Sequence, residues 1–376
     1  VVNPSNEPVD GFILGEIPHR NKRVPHLPGS SYNYGGILLP VELSCIPAVR
    51  ITDIFAEPNW QTGEVRITLT CLNPTGEMAQ RALSVVIAPK NNGEIIARSE
   101  EQIIIRPGEM IHQLCLTVAD PHPWSIDTPT LYHLSVALGV YQRTVRFGFR
   151  EFRVENGWFT LNDKRLFLKS THTGNHFPIG QVVPSTPDLM RRDLLYAKAC
   201  GYNCVRFIAG IAWPEQLDYC DEIGLMVYEE TLAGWCLVDS PNMAERFDRS
   251  IQEMILRDRN HPSVIIWGLL NETFDGPVFR HAAAALPRVR ELDPSRLVLL
   301  GSGRWDCQPA IGSVCNPGNL TWEHQWGIES PSAEPVSNAW DHQHGGYFNQ
   351  AGDAHVYPSV PQDGETNAFL RNLGRE

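Results

Sequence analysis

The residues best suited to chemistry in this chain are Asn271 and Glu272, which follow the apolar segment Val264–Trp267 after three further residues. A short apolar run of this kind predicts a strand that is buried on both faces. In a parallel barrel, catalytic side chains lie at the carboxyl ends of such strands. Burial there raises the pKa of a carboxylic acid, as a general acid near neutral pH requires. Glu272 is therefore a candidate general acid; the alternative is that Asn271 and Glu272 merely begin a helix.

The segment from Asp258 to Glu272 resembles the acid/base signature of glycoside hydrolase family 2, the β-galactosidase, β-glucuronidase and β-mannosidase group, over fifteen residues. The resemblance implies a retaining β-glycosidase in which Glu272 protonates the leaving oxygen and later deprotonates water. It also implies that Asn271 hydrogen-bonds the sugar 2-hydroxyl. A retaining enzyme needs a nucleophile carboxylate about 5–5.5 Å from the acid. The family places it after the seventh barrel strand, and because no such strand is recognisable after Tyr357, no nucleophile is assigned in this chain.

Two further candidates close neighbouring predicted strands. Arg206 lies at the end of the strand predicted over Tyr202–Phe207, and the resemblance implies that it binds the nucleophile carboxylate. An arginine in an apolar strand needs a partner, because burying its charge alone is costly. Glu229 and Glu230 end the third predicted strand, and we expect one of them to face the site and the other the helical layer, with Glu230 as the site candidate. A solvated acidic pair is the alternative.

The resemblance implies more distant contributions to a sugar site. His176 falls near the family's histidine after strand one, with an ordinary loop histidine as the alternative. Tyr357 falls near the tyrosine that hydrogen-bonds the nucleophile, with a packing role as the alternative. His355 shares a strand face with Tyr357, because residues two apart point the same way. Trp305 is a candidate for stacking on a sugar ring, with packing at an interdomain seam as the alternative. The stretch after Arg206 lacks the histidine that the family usually has there, so the sugar is left open between a galactoside, a glucuronide or a similar β-glycoside.

The pattern along the chain predicts a multidomain β plus α/β protein. Residues 46–148 alternate with period two between turn signals, which predicts an immunoglobulin-like β-sandwich of about seven strands. Residues 149–376 alternate between strands and helices, and the resemblance implies a (β/α)8 TIM barrel, with strands from Leu166–Lys169 to Ala354–Tyr357. Residues 1–45 resemble the end of a sugar-binding jelly roll. Because six predicted strands do not close an eight-stranded barrel, we expect a central fragment of a longer enzyme.

The composition of the chain bears on its binding partners, its location and its cofactors. The net charge of −12 argues against nucleic acid and anionic membranes, and no apolar stretch approaches the length of a transmembrane helix. No signal peptide is recognisable, and the nine scattered cysteines suit a reducing compartment, so a cytoplasmic location is expected. Neither the pair Cys200 and Cys204 nor the histidines near Asp341 follow a standard ligand spacing, so no metal or other cofactor is expected. A homo-oligomer is left open.

Three other hypotheses are compatible with the same residues. The chain could belong to a catalytically silent homologue that only binds carbohydrate, or to a scaffold whose barrel packs against a partner protein. It could also belong to an inverting glycosidase, in which the two carboxyl groups stand about 6.5–9.5 Å apart. The stereochemistry of the product separates the last of these from a retaining enzyme.

Overall fold

The computed structural model describes residues 37, 40–155, 158–175, 177, 184–208, 210–231, 239, 241–271, 273, 276–302 and 363–373. Across these residues the chain forms an antiparallel β-sandwich, a small three-stranded sheet and a parallel sheet connected by helices. Within the described ranges, no helix is both long enough and apolar enough to cross a bilayer.

The sandwich follows from the period-two alternation of its strands. Val65, Ile67 and Leu69 on one face of the second strand are fully buried, while Arg66 between them is exposed. The sheets have the orders β1-β2-β5 and β4-β3-β6-β7, and they share one apolar core. The seven strands are β1 (Arg50–Pro58), β2 (Glu64–Asn73), β3 (Ala79–Pro89), β4 (Ala97–Ile105), β5 (Gly108–Thr117), β6 (Tyr132–Leu138) and β7 (Tyr141–Phe147).

A small antiparallel sheet follows the sandwich, with the order β10-β9-β8. Its strands are β8 (Phe152–Glu155), β9 (Trp158–Leu161) and β10 (Lys164–Leu166). The sequence analysis did not predict this sheet, although Asn162 and Asp163 have φ of 50° and 62°, as a tight hairpin turn requires. Its apolar side chains join a core cluster with Cys204 and Met226, the first residues of two parallel strands. The small sheet therefore covers the amino-terminal end of the parallel sheet.

The parallel sheet has the order β11-β12-β13-β14-β15, so each strand pairs with its neighbour in the chain. A helix connects each strand to the next, which is the winding of a TIM barrel. The five strands are β11 (Ser170–Thr173), β12 (Cys204–Phe207), β13 (Met226–Glu230), β14 (Val264–Asn271) and β15 (Leu297–Ser302). The helices between them are α1 (Pro187–Ala199), α2 (Pro214–Ile223), α3 (Met243–Asp258) and α4 (Pro277–Leu292). The predicted sixth strand, Ala354–Tyr357, lies outside the described residues.

The prediction of the first parallel strand at Leu166–Lys169 is wrong. Leu166 ends β10, and Leu166 and Leu168 pack into the cluster beneath the parallel sheet. The strand that pairs with β12 is β11, and its residues Ser170–Thr173 are polar and only partly buried. The prediction depended on apolar residues, and these belong to the segment that packs beneath the parallel sheet, whereas the strand itself is polar.

The last segment that the structure describes is helical. Residues Gly364–Leu373 form a helix, α5, and Glu365 lies in its first turn. An acidic residue is favourable there because it faces the positive end of the helix dipole.

A buried polar interface centred on Asp221 of α2 joins the sandwich to the parallel-sheet unit. The carboxylate of Asp221 is fully buried and accepts hydrogen bonds from Nδ1 of His261 (2.7 Å), from the backbone N–H of Ser263 (3.0 Å) and from Nη2 of Arg146 on β7 (3.3 Å). Its backbone carbonyl accepts a hydrogen bond from the indole of Trp124 (2.8 Å). Because the donors come from both units, Asp221 fixes one against the other.

Candidate active site

Arg206, Glu230 and Asn271 meet at the carboxyl ends of three adjacent strands, β12, β13 and β14. Nε of Arg206 donates to Oε1 of Glu230 at 2.6 Å, and Nη2 of Arg206 donates to Oδ1 of Asn271 at 2.6 Å. Nη2 also contacts the Glu230 carboxylate. Glu230 and Asn271 are almost completely buried, and Arg206 is mostly so. Three residues predicted as site candidates are therefore brought together by charge-assisted hydrogen bonds.

Alternation along β12 explains why Arg206 faces this cluster. Val205 and Phe207 pack in the apolar layer between the sheet and the helices, whereas Cys204 packs on the opposite face. Arg206 shares the face of Cys204, because side chains two apart on a strand point the same way. The Glu230 carboxylate compensates the charge of the guanidinium, which makes burial of the arginine tolerable.

Tyr228 and Gly268 form the floor beneath the cluster. The Arg206 guanidinium lies 4.9 Å from the centre of the Tyr228 ring, within the range of a cation–π contact. Gly268 is paired in register with Glu230, and a Cβ atom added to Gly268 would lie 2.4 Å from Cε2 of Tyr228 and 2.6 Å from Cγ of Glu230. Sequence reasoning missed both residues, although a glycine inside an apolar strand is a known sign of close approach.

Glu229 and Glu230 face opposite sides of the sheet, as the sequence analysis expected. Oε1 of Glu229 accepts the backbone N–H of Ala212 at 2.9 Å and lies 3.6 Å from Nη2 of Arg257 on α3. Burial, together with the negative charge of Asp258, raises the pKa of Glu229 well above its ordinary range. Both glutamates are fully buried, so the alternative of a solvated acidic pair is wrong.

Five predicted site residues lie outside the described residues. They are Glu272, His176, His355, Tyr357 and Trp305. The structure describes the positions immediately before two of them, Asn175 and Asn271, and both asparagines are buried at the carboxyl side of the sheet. The roles assigned to the five residues stay predictions.

Asp218, Asp221 and His261 place possible metal-ligating atoms within 4.8 Å of one another. The guanidinium of Arg146 contacts both of these carboxylates, and its positive charge opposes binding of a cation. The group lies at the interface between the sandwich and the parallel-sheet unit. Its donor set fits an interdomain ion-pair network better than a metal centre.

Comparison with known proteins gives two family matches. Residues 152–345 match the family model described as glycosyl hydrolases family 2, TIM barrel domain, and residues 49–150 match the model described as glycosyl hydrolases family 2. A β-galactosidase of Aeromonas hydrophila subsp. hydrophila is 30% identical over 309 residues, which are 76% of this chain and 29% of that protein.

Solved structures show the same similarity. The β-glucuronidase of Parabacteroides merdae aligns with a TM-score of 0.59 and 26% identity, over 68% of this chain and 34% of that one. A family 2 β-galacturonidase of Eisenbergiella tayi aligns with a TM-score of 0.63 and 24% identity, over 72% of this chain and 49% of that one. The chain therefore spans about a third to a half of these structures and 29% of the β-galactosidase.

Proposed function

We propose the function of this chain from one premise: it belongs to family 2 of the glycosyl hydrolases, whose models match residues 49–150 and 152–345. We infer that the complete enzyme is a retaining β-glycosidase and that this chain supplies its general acid/base, Glu272. The nucleophile carboxylate is assigned to no residue of this chain. The activity proposed is therefore that of the full-length enzyme.

The observation that carries the proposal is the arrangement of Arg206, Glu230 and Asn271 at three adjacent strand ends, one residue before Glu272. Glu230 and Asn271 hold the guanidinium of Arg206 in one orientation before any substrate arrives. A rigid guanidinium fork at this end of the barrel is suited to binding a second carboxylate. We assign to Arg206 the role of orienting the nucleophile.

Asn271 supports the same mechanism through its amide. Since Oδ1 accepts from Arg206, the amide nitrogen of Asn271 is directed elsewhere as a donor. A hydrogen bond between this amide and the sugar 2-hydroxyl strengthens as the oxocarbenium ion develops. Next to it, Glu272 gives its proton to the glycosidic oxygen while the nucleophile attacks the anomeric carbon. In the second step Glu272 takes a proton from water, and that water displaces the nucleophile carboxylate.

The proposed substrates are β-linked galactosides or hexuronides. The relatives are a β-galactosidase, a β-glucuronidase and a β-galacturonidase. The sugars in these three names differ from one another in the oxidation state of carbon 6, in ring configuration or in both. A panel of aryl β-galactosides, β-glucuronides and β-galacturonides, offered to the full-length enzyme, identifies the class. We extend the proposal to His176, His355, Tyr357 and Trp305 as substrate-binding residues.

The domain assignment belongs to the same proposal. We propose a jelly-roll remnant over residues 1–45, an immunoglobulin-like sandwich over 46–148 and the catalytic barrel over 149–376. The support for the sandwich is its seven strands in two sheets, and the support for the barrel is its five strands with sequential parallel pairing.

The variant Glu272→Gln in the full-length enzyme tests the proposal. We expect hydrolysis of substrates with poor leaving groups to fall by about 10²-fold or more, because they need protonation, while activated aryl glycosides are affected much less. The matched control is Glu291→Gln, at an exposed acid near the end of α4, which should leave all rates unchanged. Unchanged hydrolysis of poor substrates by Glu272→Gln would overturn the assignment. Sugar binding without turnover by the wild-type enzyme would support the silent homologue.

A further inference from the structure

Side chains from β13, α2 and α3 hold the backbone of Ala212 and Trp213, at the end of the loop between β12 and α2. The backbone of Ala212 is held at both of its polar atoms: its N–H donates to Oε1 of Glu229 at 2.9 Å, and its carbonyl accepts from Nη2 of Arg257 at 2.7 Å. The backbone N–H of Trp213 donates to Oε1 of Gln216 at 2.9 Å. This loop begins after Phe207, the residue next to Arg206, at the carboxyl end of the sheet where substrates of barrel enzymes bind.

The end of β13 holds Arg206 and Ala212 at two separate points. Glu230 binds the guanidinium of Arg206 on one face of the sheet, and the adjacent Glu229 binds the backbone of Ala212 on the other. Arg206 and Ala212 are therefore tied to neighbouring residues of one strand. Such a double attachment sets the distance between the arginine and the loop wall before substrate arrives.

Charge balance requires one proton on the two acids behind the loop. Asp258 accepts from Nε and Nη2 of Arg257, each at 2.7 Å, and Oε1 of Glu229 lies 3.6 Å from the same Nη2, so a single guanidinium faces two carboxylates. Oε2 of Glu229 is buried and receives no hydrogen bond from an N–H or O–H group of the described residues. A second uncompensated carboxylate in this apolar layer would be costly. A proton on Oε2 of Glu229 removes the extra negative charge and lets this oxygen donate to the Asp258 carboxylate. The raised pKa of Glu229 agrees with a protonated side chain.

We propose that Glu229 is a positioning residue that, as a neutral acid bonded to Ala212 and Asp258, fixes the β12–α2 loop as one wall of the substrate site. The substrate part of this inference rests on the proposed glycosidase function, whereas the attachment of the loop does not. Glu229 touches no reacting atom, so its effect is on substrate fit.

The test compares Glu229→Gln with Glu229→Met in the full-length enzyme. Glutamine reproduces the neutral acid, because its carbonyl oxygen can accept from Ala212 and its amide can donate to Asp258. Methionine keeps the length and removes both bonds. We expect kcat and KM of Glu229→Gln to stay within about twofold of wild type, and KM of Glu229→Met to rise about tenfold or more with a smaller change in kcat. Asp293→Asn is the matched control, since Asp293 is a buried acid at the opposite end of the sheet, and it should leave KM unchanged.

Hydrogen exchange at the amide of Ala212 supplies a readout that needs no activity. We expect protection in wild type and Glu229→Gln, and exchange faster by about tenfold in Glu229→Met, since a buried hydrogen bond is lost. Glu229→Leu replaces Glu229→Met should the latter not fold. An equal rise of KM in Glu229→Gln and Glu229→Met would overturn the proposal that Glu229 acts as a neutral acid. An unchanged exchange rate of the Ala212 amide in the apolar variant would overturn the proposal that Glu229 holds the loop.

Faster exchange without a rise in KM would overturn the positioning role alone. Should wild-type full-length enzyme turn over no glycoside, the proposed function fails and the substrate part falls with it. Exchange at Ala212 then still decides whether Glu229 holds the loop.

Discussion

Replacing Gly268 by alanine adds one carbon atom at the most crowded point beneath the candidate site. That Cβ would lie 2.4 Å from Cε2 of Tyr228, 2.6 Å from Cγ of Glu230 and 2.9 Å from Oη of Tyr228. Carbon atoms in contact stand about 3.5 Å apart or more. Glu230 and Tyr228 must therefore move by about 1 Å, or β14 must move away from β13, for the variant to fold.

A displacement of about 1 Å carries the Glu230 carboxylate away from Arg206, which Glu230 now meets at 2.6 Å. Misplacement of catalytic groups by about 1 Å costs about 10²-fold in rate. Overpacking of a well-filled core costs about 1–3 kcal/mol of unfolding free energy. We therefore expect Gly268→Ala in the full-length enzyme to lower kcat/KM by about 10²-fold and to lower stability by about 1–3 kcal/mol.

Steady-state kinetics on an aryl β-glycoside and chemical denaturation measure the two effects. The control is Gly76→Ala, because a Cβ atom at Gly76 meets no atom within 4 Å. That variant should keep wild-type activity. A Gly268→Ala enzyme that is folded and has wild-type kcat/KM would refute the reasoning, because the positions of Glu230 and Tyr228 would then not matter to catalysis.

Three further predictions follow from buried charges. Asp221→Asn should lower the free energy of unfolding by about 3 kcal/mol, because it breaks a buried ion pair. Asp218 is half-exposed, so Asp218→Asn should lower it by less than about 1 kcal/mol. Equal losses of the two variants in denaturant titrations would contradict this. Burial opposes a charged His261, but the Asp221 carboxylate outweighs burial and raises the pKa of His261. The stabilisation by His261 is therefore complete below the ordinary pKa of histidine, about 6.5, and is lost as pH rises through the raised pKa of His261. The fall of Tm with pH above about pH 6.5 should therefore be weaker in Asp221→Asn than in wild type. Equal slopes of Tm against pH in the two proteins would argue against the pair. Arg206→Lys should lower kcat/KM by about 10²-fold, because an ammonium cannot reproduce the fork that meets both acceptors, and a loss below threefold would show that the fork is not needed.

The sequence predicted the buried elements better than the exposed ones. The apolar runs that became β12, β13 and β14 were recognisable because parallel strands are covered on both faces. β11 was missed because it lies at the edge of the described sheet and carries the polar residues Ser170–Thr173. The small sheet β8–β10 was missed because its strands are only three or four residues long.

For the candidate site, residue type at a strand end, together with the family resemblance, predicted Arg206, Glu230 and Asn271. Gly268 and Tyr228 could not be predicted in the same way, because their contact depends on how β13 and β14 align. That register shifts between Val227 and Tyr228 and then pairs Glu230 with Gly268. Register between strands that are far apart in sequence is a property of packing, and local patterning does not specify it.

The anomeric configuration of the glycosyl azide formed by Glu272→Gln tests the central claim most directly. In a retaining enzyme without its acid/base, an activated β-glycoside still forms the α-linked glycosyl-enzyme, and azide then attacks from the β face that the lost carboxylate no longer guards. The account predicts that the full-length variant is rescued by azide and yields the β-glycosyl azide by proton NMR. An α-glycosyl azide would identify Glu272 as the nucleophile, and an undiminished variant that forms no azide product would exclude Glu272 from catalysis.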